Sequence, residues 1–125
     1  MQRTLKIGIM SRDAFQARTL AIARGEYKPR LGEPKIWFET IQSLAQVLSE
    51  ENQALLQIIA EQKPESIRAL EDLTGRKSSN LSRTLHTMEA YGIVELVRQG
   101  RKVVRPVAKA LRFQVDFGVG HKQSA

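Results

Sequence analysis

Apolar and polar residues change period several times along this chain, and each change predicts an element. Residues 4–10 (TLKIGIM) alternate Leu5, Ile7 and Ile9 against Lys6 and Gly8, the period-two pattern of a short half-buried strand. Ser11 is a good N-cap and Asp13 suits the first turn of a helix, so a helix is predicted over 12–24. It presents Phe15 and Ile22 seven residues apart and stops at Gly25. The Gly- and Pro-punctuated stretch 25–35 (GEYKPRLGEPK) reads as a loop.

Helical spacing resumes near Thr40. One long helix over 40–62 would place Glu51 in the middle of a Leu44, Leu48, Leu55 and Ile59 seam, and a buried unpaired carboxylate is costly. Ser49 followed by Glu50 and Glu51 is instead a cap with an acidic first turn, so two helices are predicted, 40–48 and 50–62, the second ended by Lys63-Pro64. A third covers 65–73, with Ile67, Leu70 and Leu73 inward and Thr74-Gly75 as its close. A fourth covers 78–91 and stops at Gly92.

Beyond it, 93–97 (IVELV) and 102–107 (KVVRPV) are β-rich and flank a hairpin tip, Arg98-Gln99-Gly100-Arg101. Pro106 puts the second of these strands at a sheet edge or near its end. Leu111, Phe113, Val115 and Phe117 alternate with polar residues as a last strand, and HKQSA reads as a frayed tail. The two terminal strands need partners, and pairing with each other, with the hairpin or across a dimer all remain open.

The order is helix, turn, helix, hairpin. It predicts an α+β, mainly α fold: a winged helix-turn-helix with an N-terminal strand-helix extension and a C-terminal strand. The expected segments are 1–35 (extension and loop, a candidate for dimerisation), 36–108 (winged helix-turn-helix) and 109–125 (strand and tail).

Charge sharpens this picture. The chain has 125 residues and a formal net charge of +7, unevenly spread. Residues 76–112 hold nine Lys/Arg against two Asp/Glu, residues 39–75 two against seven, and residues 1–38 eight against three. Positive charge thus gathers on the fourth helix and hairpin, where it can neutralise phosphates and release counterions. The acidic segment suits a face turned away from a polyanion.

On the fourth helix, Leu81, Leu85 and Met88 form the core seam, and Ser79, Asn80, Ser82, Arg83, His86 and Thr87 lie on or beside the opposite side. That side carries no carboxylate, unlike a plain solvated helix with Glu and Lys at i,i+4 spacing. Arg83 is the strongest candidate for a base contact, because its fork can donate twice to guanine O6 and N7. Asn80 suits bidentate pairing with adenine or capping, and Ser79, Ser82 and Thr87 complete the candidate base-contacting set. Arg76, Lys77, Ser78 and His86 are placed for phosphates, Ser78 and Ser79 also as caps. Arg98, Arg101, Lys102 and Arg105 would carry the hairpin onto the backbone or minor groove.

Other chemistries lack their residues. Zero Cys excludes disulfides and thiolate zinc sites, and His86 and His121 stand far apart with no ligand spacing. Neither a phosphate-cradling Gly-rich loop nor a nucleophile motif occurs, so neither an enzyme nor a cofactor or metal is expected. Trp37-Phe38 reads as core or dimer packing. Apolar runs are too short to cross a bilayer or serve as a secretory signal, which points to a cytoplasmic protein.

From about Ile36 to Val107 the chain resembles winged-helix regulators of the MarR-like type, including small prokaryotic DNA-binding proteins of antitoxin type. The resemblance rests on LSEENQALLQII (48–59), SIRALEDLTG (66–75), SSNLSRTLHTMEAYGIVELV (78–97) and RQGRK (98–102). It implies a sequence-specific regulator of transcription, a repressor, acting on double-stranded DNA as a homodimer. Two departures stand out: the hairpin lacks the Asp-x-Arg pattern, and a strand at 111–117 replaces the long C-terminal dimerisation helix. A dimer is therefore expected from residues 1–38 and 111–117. The other expectation is a protein-interaction module, such as an antitoxin that docks a cognate toxin and also autoregulates.

Overall fold

A computed structural model describes residues 3–117, and the side chains of all of these except 102–104. About half of the described residues are helical, in an α+β fold with five helices. The order is β1 (Thr4–Ile9), α1 (Arg12–Ala23), β2 (Ile36–Phe38), α2 (Ile41–Val47), α3 (Glu50–Gln62), α4 (Ile67–Thr74), α5 (Ser78–Tyr91), β3 (Val94–Gln99), β4 (Lys102–Ala108) and β5 (Arg112–Asp116). The HKQSA tail lies outside the described residues. No described helix is long and apolar enough to cross a membrane.

The chain forms two compact units. The larger runs from Gln46 to Arg112; the other joins Thr4–Ala45 to the described residues from Phe113 to Phe117.

In the second unit the terminal strands pair with each other, in the order β2-β1-β5. β2 lies parallel to β1 in the register Ile7↔Ile36, Gly8↔Trp37 and Ile9↔Phe38. Residues 36–38, expected to open the winged helix, therefore join the terminal sheet. Parallel neighbours need a crossover, and α1 with its following loop supplies it. Ser11 caps α1 by accepting from Ala14 N at 3.2 Å. The expected Phe15–Ile22 stripe is not a buried face: α1 has no buried residue, and Phe15 is 39 % and Leu20 52 % exposed. Its half-buried side is Ala14, Arg18, Ala21 and Ile22. Arg18 explains the turn away from Phe15. Its guanidinium lies 5.1 Å from the Trp37 ring centre, 5.7 Å from that of Tyr27, and 3.3 Å from Glu33 Oε1.

The larger unit is built from α3, α4, α5 and the β3–β4 hairpin. Ser49 caps α3 through Asn52 N (3.2 Å) and Ser66 caps α4 through Ala69 N (3.0 Å). The break at Ser49 keeps Glu51 exposed, as the cost of burying its carboxylate requires. α3 ends at Lys63, a left-handed residue at φ +47°, before Pro64. Leu55, Leu56, Ile59, Leu70, Leu81, Leu85, Met88, Ile93 and Val94 are at most 2 % exposed and form its core. Leu73 is not among them; it is 47 % exposed. A spacing of three drifts about 60° backwards at each step of a helix, so Ile67, Leu70 and Leu73 cannot all face one way, and half-buried Thr74 takes the inward position.

β3 and β4 are antiparallel from Val94↔Ala108 to Gln99↔Lys102, and the register slips by one residue after Val97↔Arg105. The tip is shorter than the four residues expected, with only Gly100 (φ +65°) and Arg101 between the strands. Pro106 pairs with Leu96 in this two-stranded sheet, where every strand has a free edge.

Candidate nucleic-acid interface

α4 and α5 are joined by the short turn Gly75-Arg76-Lys77. Gly75 (φ +75°) supplies the left-handed residue, and its N–H closes α4 on Glu71 O at 2.8 Å. With Leu81, Leu85 and Met88 fully buried, the opposite side of α5 is left to solvent. Ser78, Ser79, Asn80, Arg83, His86 and Thr87 are exposed there, and Ser82 is half-buried.

These residues divide by what their polar atoms already hold. The Arg83 guanidinium takes no hydrogen bond among the described residues, and neither do the side chains of Lys77, Arg101 and Arg105, all exposed. Thr87 Oγ1 donates back to Arg83 O at 3.1 Å. His86 Nδ1 lies 2.7 Å from Ser82 O, so it carries the proton and donates to that carbonyl. Arg98 pairs with Glu89 Oε1 at 2.8 Å. Glu89, the one carboxylate on α5, is thereby tied to the hairpin. The side chain of Lys102 lies outside the described residues.

Two placements were not legible in the sequence. Glu71, one α4 turn before Gly75, accepts from Ser78 N at 2.8 Å and from Ser78 Oγ at 3.0 Å. A carboxylate thus occupies the N-terminus of α5, the place expected to hold a phosphate. Arg76 is half-buried and spends its fork inside the protein: Nε donates to Asn80 Oδ1 (2.9 Å), one terminal nitrogen to Asn52 Oδ1 (3.1 Å) and the other to Thr84 Oγ1 (3.1 Å). Asn52 in turn donates to Val47 O at 3.0 Å. The signal available in the sequence was the i,i+4 and i,i+8 spacing of Arg76, Asn80 and Thr84; Asn52 is twenty-four residues away and gave none.

Beside this network a cleft of about 220 Å³ is lined by Gln46, Val47, Asn52, Arg83, Thr84, Thr87 and Met88. No group of three or more Asp, Glu, His or Cys side chains able to hold a metal comes together among the described residues.

Residues 47–115, a little over half of the chain, match the HVO_A0114 family, and the chain belongs to that family. No curated protein and no solved structure matches it.

Proposed function

We propose that this member of the HVO_A0114 family binds double-stranded DNA as a winged helix-turn-helix regulator of transcription of MarR-like type, a repressor. In this reading α4 and α5 are the helix-turn-helix, α5 enters the major groove, and the β3–β4 hairpin is the wing lying on the backbone or minor groove. The observation that carries it is the exposed guanidinium of Arg83, which takes no hydrogen bond among the described residues, on α5, whose one carboxylate, Glu89, is paired with Arg98. An apolar-backed helix with that outer face offers hydrogen-bond donors to base edges. Arg83 reads a base, Lys77, Arg101 and Arg105 hold phosphates, and a homodimer sets two copies of α5 about 34 Å apart on a pseudo-palindrome.

Arg83→Ala should cost about 1–3 kcal/mol on a selected duplex and relax preference at one base position, measured by fluorescence anisotropy against selected and random duplexes. An equal loss on both would make Arg83 a phosphate contact.

A second reading has an observation of its own. α1 buries no residue and exposes Leu20 and Phe15, which suits docking of a partner protein such as a cognate toxin. An antitoxin that also represses its own gene would use both units. Co-purification of a stoichiometric partner that survives high salt would support it; a chain that elutes alone from its native host would count against it.

A further inference from the structure

Arg76 does more than join two helices. Its guanidinium has only donors, so the atoms of Asn52 and Asn80 that face it are their amide oxygens. For Asn52 the opposite end confirms the orientation, because its Nδ2 faces backbone carbonyls at 3.0 and 3.4 Å. For Asn80 the consequence reaches the reading face. Its Oδ1 is turned towards the side where Arg76 meets Asn52 and Thr84, and its remaining lone pair sits beside a cation. Bidentate pairing with adenine needs both amide atoms edge-on to the base, Oδ1 taking the N6 amino proton while Nδ2 donates to N7. Arg76 withholds the first of these.

We propose that Arg76 is a positioning residue that fixes the Asn80 amide so that only its Nδ2 donors meet DNA, selecting the acceptor edge of guanine over adenine. The inference rests on the DNA-binding reading of α5. Arg83, whose guanidinium takes no hydrogen bond among the described residues, reinforces the same bias, so the α5 surface favours acceptors.

Two measurements test it. In the free protein, the Arg76 Nε–H should exchange with water more slowly than that of Arg83 and lose this protection in Asn80→Ala, seen by 15N-resolved exchange. Equal exchange of the two would overturn the proposal without any DNA. In selection from randomised duplexes, the wild type should enrich guanine over adenine by about five- to tenfold at the position that Asn80→Ala randomises. Arg76→Met should move that position towards adenine while leaving the salt dependence of binding unchanged; Arg76→Lys, with one donor group for three acceptors, gives the same direction if the Met variant does not fold. Adenine enriched by the wild type, or a preference indifferent to Arg76, would overturn this proposal alone. Failure of the wild type to bind any duplex, with Arg76 protected, would overturn the DNA reading and the base preference with it.

Discussion

Gly8 sits on β1 directly beneath the indole of Trp37, the chain's single tryptophan. A Cβ there would lie 2.2 Å from the Trp37 ring, with the sheet on one side and α1's Arg18 stacked on the other. Gly8→Ala should therefore cost about 1–3 kcal/mol in urea unfolding and change the tryptophan emission of the folded state. An unchanged midpoint would mean that Trp37 is not held against β1. Next to it, Glu33 accepts from the Tyr27 hydroxyl, from Arg30 N and from Arg18. The Arg30 N–H first, then the Tyr27 hydroxyl, hold its carboxyl below the ordinary carboxylate range, and the bond to Glu33 pushes the Tyr27 phenol above its usual value. A carboxylate with a depressed folded pKa lends stability above its unfolded pKa and loses it as pH falls through the folded one. A phenol with a raised pKa lends stability below its ordinary value and loses it as pH rises through the folded one. The advantage of the wild type over Glu33→Gln in urea midpoint should thus be largest between these limits and vanish in acid below the usual carboxylate range. An advantage that persists there would assign the cluster's contribution to packing instead.

At the level of elements, helix periodicity and caps make most of the chain legible in the sequence. Ser49 split what could have been one helix, and the Leu81-Leu85-Met88 seam fixed α5 from Ser78 to Tyr91. What stayed hidden was non-local. β2 has only three residues, too few for a period, and becomes a strand because β1 offers it an edge. The pairing of the terminal strands depends on contacts more than a hundred residues apart. In the candidate interface, the exposed Arg83 could be read from a helical wheel, whereas the inward fork of Arg76 depends on Asn52 arriving from another helix. Glu71 shows a conflict between stability and binding at this scale. Its carboxylate caps α5 and complements the helix dipole, yet it stands where a phosphate would approach. Glu71→Gln should lower stability by about 0.3–1 kcal/mol and tighten binding to random duplex at low salt. Unchanged binding by a folded Glu71→Gln protein would remove the α5 N-terminus from the contact surface.

At the scale of the whole molecule, charge and exposed apolar surface are unevenly shared between the two units. The larger unit carries the exposed cations of α5 and the hairpin, and the terminal unit carries an open three-stranded sheet and a helix with exposed apolar residues. Of the net charge of +7, α5 with its preceding turn and the hairpin hold seven cations (Arg76, Lys77, Arg83, Arg98, Arg101, Lys102 and Arg105) against Glu89 and Glu95, so cations dominate the α5 and hairpin face. If that face neutralises phosphates, affinity must fall steeply with salt, and removing one contacting cation must reduce the slope of log K against log salt by about one. The most direct measurement is titration of a fluorescent random-sequence duplex at about 50 and 200 mM salt, with the wild type and an Arg83→Ala/Arg101→Ala double variant. The account predicts binding at the lower salt that weakens by orders of magnitude at the higher, and a double variant that binds less tightly with a shallower slope. A folded protein that ignores the duplex at the lower salt, or a variant with unchanged affinity and slope, would contradict it.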